Sequence, residues 1–348
     1  MRLRMGCGGY AARPTRRPIT ERQMKVLVCG GAGYIGAHMV RCLREHGHEA
    51  VVFDDLSTGH RAAIEESVPL VVGDLRDARA LEALFAAHRF DAVMHFCARS
   101  LVGESVQRPY AYYDNNVLGT LRLLEAMQAA GVTRLVFSST AAVFGVPERE
   151  SIDEEHPLAP ISPYGASKAM VERILRDAAA AYGLRSVSLR YFNAAGAHPS
   201  GAIGEAHAPE THLIPNVLRA ALGTGPALKV FGDDYPTADG TCVRDYVHVD
   251  DLAAAHLAAL ELLEREPGAQ AFNLGNGNGF SVLEVIAAAR EVTGRAIPFE
   301  WAPRRAGDPP RLVAASTRAR ERLGWQPRHT DIAGIIESAW RWHLAPRY

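Results

Sequence analysis

Tyr164 and Lys168 stand four residues apart in the run Ser162-Pro163-Tyr164-Gly165-Ala166-Ser167-Lys168. On a helix that spacing puts both side chains on one face, a single turn apart. An ammonium beside a phenol favours the phenolate, so the pair predicts a tyrosine whose pKa falls below the usual value of about 10. Such a group can take or return a proton near neutral pH. Two residues at helical spacing are common on solvated helix faces, so the weight of this pair rests on its surroundings. Upstream, Leu135-Val136-Phe137 reads as a strand that delivers Ser138-Ser139-Thr140 at its carboxyl end. The Thr140 hydroxyl there can bond a substrate oxygen and steer its proton toward Tyr164.

These residues need a scaffold, and its first part is a phosphate cradle. The apolar stretch Met24–Cys29 runs into Gly30-Gly31-Ala32-Gly33-Tyr34-Ile35-Gly36. Glycines at that spacing let the backbone turn tightly and approach a pyrophosphate, while the next helix offers its first amides to the negative charge. The helix is expected over Ala37–His46 and a second strand over Ala50–Phe53, ending in Asp54-Asp55. An acidic residue some twenty positions past the glycines bonds ribose hydroxyls in NAD sites and repels the 2′-phosphate of NADP. Further strands are expected at Leu70–Val72, Ala92–Phe96, Arg134–Ser138 and Val187–Arg190. Helices are expected at Asp77–His88, Tyr110–Ala130 and Tyr164–Tyr182. This alternation predicts an α/β fold built on a doubly wound parallel sheet. Beyond Asn193 the chain turns proline- and glycine-rich, which suggests a smaller α/β substrate domain over the carboxyl ends of the strands. The expected division is 24–193 for the dinucleotide half and 194–348 for the substrate half, with a segment near 243–260 returning to the first.

Composition narrows the function classes. The 348 residues are 48% apolar and 22% charged, with a formal net charge of −1, so nothing in bulk charge pulls the chain toward nucleic acid or membranes. No apolar run is long enough to span a bilayer. Cysteines at 7, 29, 42, 97 and 242 form no paired framework, and Cys29 and Cys97 sit in apolar strand contexts, as core thiols in a reducing cytoplasm would. Residues 1–23 carry six arginines with little periodicity and read as a disordered extension, with Met24 a possible functional start. The histidines show no paired ligand spacing, so no metal site is expected.

Taken together, these runs resemble the short-chain dehydrogenase/reductase superfamily in its extended, nucleotide-sugar branch, and most closely its UDP-hexose 4-epimerases. The resemblance spans roughly Met24 to His343 and rests on runs such as GGAGYIG, YYDNNVLGT, SPYGASK, LRYFNAAGAHPSG, HLIP, DGTCVRDYVHVDDLA and RRAGDPPRLVA. It implies a Rossmann-type fold with NAD held by Gly30, Gly33, Tyr34, Ile35 and Gly36, with Asp54 on the ribose. Asp74 and Leu75 would meet the adenine, and Phe96, Cys97, Asn115, Lys168 and Phe192 would line the remaining cleft. Tyr164 would be the catalytic base, with Thr140 as its hydroxyl partner. Asn193, His212, Leu213, Arg244, Arg305 and Asp308 would hold a UDP-hexose, and Leu312 would gate the sugar pocket. The implied reaction interconverts UDP-galactose and UDP-glucose through a 4-keto sugar, in a homodimer formed by the helices around Tyr110–Ala130 and Tyr164–Tyr182.

Two alternatives share most of this machinery. A UDP-xylose/UDP-arabinose 4-epimerase would differ only around C6 of the sugar. An NAD-sensing binding protein of the same fold would need no Tyr-Lys pair, and here the pair is intact. A dehydratase would carry an Asp-Glu pair after Thr140, where this chain has Ala141-Ala142.

Overall fold

The computed structural model describes residues 22–305 and 308–348. The expected extension over 1–23 therefore lies outside the described residues, apart from Arg22 and Gln23, and so does Cys7. The first part of the chain runs β1 (Lys25–Cys29), α1 (Tyr34–Glu45), β2 (Glu49–Asp54), β3 (Leu70–Val72), α2 (Ala78–Ala87) and β4 (Ala92–His95). It continues through α3 (Val102–Gln107), α4 (Pro109–Tyr112), a π-helical turn over Tyr113–Leu118, α5 (Gly119–Ala129), β5 (Arg134–Thr140), α6 (Pro163–Tyr182) and β6 (Arg185–Tyr191). The second part begins with β7 (Asn193–Ala195), α7 (Leu213–Leu222), β8 (Leu228–Phe231), β9 (Val243–Arg244), β10 (Tyr246–His248), α8 (Val249–Arg265) and β11 (Ala269–Leu274). It ends with β12 (Phe280–Ser281), α9 (Val282–Thr293), β13 (Phe299–Ala302), β14 (Arg311–Leu312), α10 (Thr317–Arg322) and α11 (Ile332–Leu344).

Among the described residues one sheet holds seven parallel strands in the order β11-β6-β5-β4-β1-β2-β3. Its strands are apolar on both faces because helices cover both. Val26, Val28, Val52 and Met94 pack on one side with Met39 and Leu43 of α1 and Leu252, Leu260 and Leu263 of α8. The alternate residues Leu27, Cys29, Phe53 and Val93 pack on the other with Leu81 of α2, Leu123 of α5 and Val171 and Leu175 of α6. The strand order reverses between β1 and β4, and an open α/β sheet binds its ligand in the crevice beyond such a point. A separate core gathers Val217 and Leu218 of α7, Val230 of β8, Ile286 of α9 and Ile335 and Ile336 of α11.

Two expectations about elements change. The returning segment is longer than 243–260: α8 covers α1, and β11 adds the edge strand beside β6, so the first layer reclaims the chain as far as Leu274. The helix expected over Tyr110–Ala130 is interrupted by the π turn. Widening of that turn accompanies a buried Asn116, whose Nδ2 reaches the Arg99 carbonyl at 3.0 Å and Ser167 Oγ at 2.9 Å. π turns inside α-helices often mark functional sites, and this one is tied to the helix that carries Tyr164.

Candidate active site

The site grows from the carboxyl ends of β1, β2 and β5 and the first turn of α6. Gly30 adopts a positive φ of 78°, and a Cβ there would stand 2.7 Å from the Cys97 amide nitrogen. A Cβ on Gly36 would come within 2.1 Å of the Gly30 carbonyl oxygen, so only glycine lets α1 start this close to the loop. Gly33, the residue that precedes α1, offers no side-chain cap, and the first turn of α1 holds no acidic residue, whereas Asp77 caps α2 and Ser162 caps α6. Its leading amides are left for an anion, which is what a pyrophosphate requires. Asp54, 5% exposed, accepts hydrogen bonds from the Ala32 amide at 2.9 Å and the Leu56 amide at 2.8 Å. It therefore braces the glycine loop as well as closing β2. Burial raises its carboxyl pKa, and those two amides pull it back. The uncapped helix, the glycine contacts and the strand-end carboxylate fit a dinucleotide.

α6 is pinned at its start. The Ser162 hydroxyl accepts from the Gly165 amide at 3.2 Å, Pro163 fills the first turn, and a Cβ on Gly165 would meet the Ala142 carbonyl oxygen at 2.3 Å. This close approach brings Tyr164 to Thr140. The Thr140 hydroxyl acts on the phenol to lower its pKa, and Thr140 Oγ1 accepts from the Ala142 amide at 3.1 Å. Lys168, 2% exposed, donates from Nζ to the Ser138 carbonyl at 2.7 Å and lies 4.7 Å from the centre of the Phe137 ring. Burial lowers the lysine pKa to about 7. The expected fall in the Tyr164 pKa is not found: burial raises it above 10.0, and the Thr140 hydroxyl opposes that rise. The ammonium faces a backbone carbonyl and a ring instead, so desolvation outweighs it at the phenol. A positive charge bound in the cleft would act in the direction the tyrosine needs.

One turn further along α6, Glu172 completes a network absent from the sequence reading. Its carboxylate accepts from Arg190 Nε at 2.9 Å, Arg190 Nη2 at 2.6 Å and Ser139 Oγ at 2.6 Å. Both charged side chains are at most 5% exposed. The signal was present as a Tyr-Lys-Glu series at positions i, i+4 and i+8 of one helix face.

The other expected residues fall in several places. Phe96 and Cys97 lie against Gly30, and Ile35 packs on the core beneath the loop. The Tyr34 hydroxyl donates to the Gly196 carbonyl at 2.7 Å, so only its backbone faces the loop. Asp74 is engaged with Arg76, which also holds Asp114, because both carboxylates flank one guanidinium at the surface. Leu75 is buried under α5, where it approaches Gly119. Asn115 donates to Asn116 Oδ1 at 3.0 Å, and the inward member of the pair is Asn116. Asn193 donates to the Asp245 carbonyl at 2.9 Å. Arg244 is paired with Asp308, and Arg305 stacks its guanidinium 4.0 Å over the Phe231 ring. Leu312 joins Phe192 against Ala141, Val143 and Phe144, next to the turn that follows Thr140. His212 leads into α7 ahead of Leu213, but its Nδ1 is 2.6 Å from Glu205 Oε1. Folding gathers Glu205, His207, Glu210 and His212 into one cluster, contrary to the expectation that the histidines lack ligand spacing.

Residues 26–275 match the model of the NAD dependent epimerase/dehydratase family. The chain belongs to that family. It is 51% identical over 320 residues to the UDP-glucose 4-epimerase of Lacticaseibacillus casei, covering 92% of this chain and 97% of that one. A crystal structure of a UDP-glucose 4-epimerase superposes with a TM-score of 0.90 at 52% identity, covering 92% of this chain and 98% of that chain. The Bifidobacterium longum UDP-glucose 4-epimerase, solved with NAD+ and UDP, superposes at 0.89 with 40% identity, covering 92% of this chain and 98% of that chain. The seven-stranded parallel sheet is the Rossmann-type sheet of this family, and NAD is its cofactor. Among the described residues no helix is long and apolar enough to cross a membrane.

Proposed function

We propose that this epimerase interconverts UDP-galactose and UDP-glucose by inverting C4 of the sugar. The observation that carries the reading is the hydroxyl pair Thr140–Tyr164 beside Lys168, set at the end of β5 and next to an uncapped glycine-loop helix. NAD, when bound, supplies the hydride acceptor and donor that make oxidation at the sugar carbon reversible. Tyr164 takes the proton of the 4-hydroxyl and returns it, with Thr140 holding the shared hydrogen bond in both directions. The same phenol serves either epimer, because a ketone carbon can be reduced on either face once the sugar turns. Gly30, Gly33, Gly36 and Asp54 would hold the dinucleotide, and Lys168 a ribose hydroxyl. Asn193, Leu213, Arg244, Arg305 and Asp308 would hold the UDP, with His212 contributing through its backbone, and guanidinium groups pair well with phosphate oxygens. Tyr34, Ile35, Asp74, Leu75, Phe96, Cys97, Asn115 and Phe192 complete the proposed cleft.

The test is to mix purified protein with UDP-galactose, add no NAD, and follow UDP-glucose by chromatography. Conversion is expected, because NAD is regenerated in every cycle and stays bound. No conversion with or without added NAD, in a folded protein, would sink the reading.

Leu312 sets the sugar preference in this proposal. Its half-buried side chain fills space against Phe192 and Phe144, so a bulky acetamido group is disfavoured. Leu312→Ser should raise kcat/KM for UDP-N-acetylgalactosamine relative to UDP-galactose by roughly tenfold or more, the worth of a few methylenes in a pocket. Equal use of both substrates by the parent protein would overturn the assignment.

The protein is a homodimer and cytoplasmic in the same proposal. Tyr110 (86% exposed), Val106, Leu118, Leu121 and Met170 leave apolar surface along α3, α4, the π turn, α5 and α6. A twofold contact would bury that stripe twice over. Light scattering should give twice the chain mass for the parent and a monomer for the Leu121→Glu/Met170→Glu variant; a monomeric parent refutes the dimer. The described cysteines are all free thiols, which suits a reducing compartment.

A further inference from the structure

The loop Glu205-Ala206-His207-Ala208-Pro209-Glu210-Thr211-His212 carries four ligating side chains in eight residues, and the fold turns all of them toward one point. Their donor atoms all lie within 4.8 Å of one another. His212 Nδ1 is 2.6 Å from Glu205 Oε1 and 3.4 Å from Glu210 Oε1. His207 Nδ1 is 3.2 Å from Glu205 Oε1 and 3.7 Å from Glu210 Oε2. A tetrahedral ion with ligand bonds of about 2.0–2.1 Å has donor-to-donor edges of about 3.3 Å. The four cross distances bracket that edge.

Opposite charge draws these four groups together, but they do not separate into two pairs. Paired groups would sort into two couples, whereas each imidazole here faces both carboxylates through the same Nδ1. His207 Nδ1 is buried and makes no aligned hydrogen bond despite its nearness to Glu205. Both carboxylate side chains are withdrawn from water, Glu205 at 5% exposure and Glu210 at 1%. Two carboxylates and two neutral imidazoles make a donor set of charge −2, which one divalent cation balances. The surroundings hold the ligands in place, as outer partners do in metal centres. Glu210 Oε1 accepts from the Thr211 amide at 2.8 Å and the His212 amide at 2.9 Å. Trp342 Nε1 donates to the Glu205 carbonyl at 2.9 Å, and His60 Nε2 bonds the Ala206 carbonyl at 3.0 Å.

We propose that Glu205, His207, Glu210 and His212 bind a divalent first-row transition metal of the zinc class. Two imidazoles and two carboxylates suit zinc or cobalt(II) better than calcium or magnesium, which prefer oxygen alone. Four protein ligands close the coordination sphere, so the ion is structural. It clamps the entrance of α7 to α11 through Trp342 and to the first half of the chain through His60.

The test uses the full chain, stripped with chelator and titrated with cobalt(II) alone. One equivalent should produce the visible bands of a four-coordinate ion, and one equivalent of zinc should abolish them. X-ray absorption of the zinc-loaded protein should show nitrogen and oxygen ligands at about 2.0–2.1 Å, including imidazole and no sulfur. H207Q and E210Q should each weaken cobalt binding at least tenfold. Lack of a four-coordinate spectrum in the parent protein overturns the proposal, as do sulfur ligands or unchanged binding in a folded H207Q or E210Q. Should either variant fail to fold, the parent's spectrum and ligand shell still decide.

Discussion

Tyr164→Phe is expected to leave the protein folded and its NAD in place while lowering turnover of UDP-galactose by about a thousandfold, the usual worth of a positioned general acid–base. The substitution removes one oxygen from a half-buried side chain and frees the Thr140 hydroxyl to keep its bond to the Ala142 amide. Packing should therefore survive. Steady-state kinetics, together with the NAD content of the purified variant, separate a chemical defect from a binding one. Turnover within a few-fold of the parent would remove Tyr164 from the proton path. Loss of NAD would show instead that the phenol anchors the cofactor.

Glu172→Ala should have the largest effect on stability, a loss of roughly 3–5 kcal/mol, because it strands the Arg190 guanidinium in the interior. Arg190 is enclosed between α6 and the sheet, with its guanidinium 5.2 Å from the Phe144 ring centre. Nothing comparable is at stake in an exposed pair such as Arg173–Asp177, where solvent leaves about 1 kcal/mol at most. A double replacement, Glu172→Met with Arg190→Met, should recover most of the loss, since apolar groups of similar volume need no charge partner. Urea unfolding of the single and double variants measures both. A single-variant loss below about 1 kcal/mol, or a double variant no better than the single, would contradict this account of the network.

The sequence was most readable where local rules act. The strands and helices of the first half followed from apolar runs and glycine punctuation, and the glycine loop from its spacing. Reading stopped short where distant residues decide the outcome. Nothing local marks Ala269–Leu274 as the partner of β6, because a buried edge strand has the same apolar pattern as a central one. The π turn was hidden inside a helical pattern that differs from it by a single residue per turn. At the site, the Tyr164–Lys168 spacing correctly put both residues on one helix face. It could not reveal that Lys168 turns to the Ser138 carbonyl and that burial governs the phenol. Asp74 shows the same limit, since its engagement with Arg76 depends on where Asp114 arrives from another element. The Glu205–His212 cluster was missed because its geometry belongs to a loop, where spacing along the chain says little about direction.

The path of the chain also limits how such a protein can be recombined. After β6 the chain leaves the large sheet, comes back through α8 and β11, and leaves again at β12. The half that would receive the sugar nucleotide is therefore encoded in two separate stretches. Exchanging that half with a relative takes three matched crossovers, one after β6 and one on each side of the returning helix and strand. A single breakpoint after β6 would import a foreign α8 against α1 and a foreign edge strand against β6. Under the role proposed for Leu312, substrate preference can drift by point changes, while wholesale transfer of a specificity module is obstructed by the weave of the backbone.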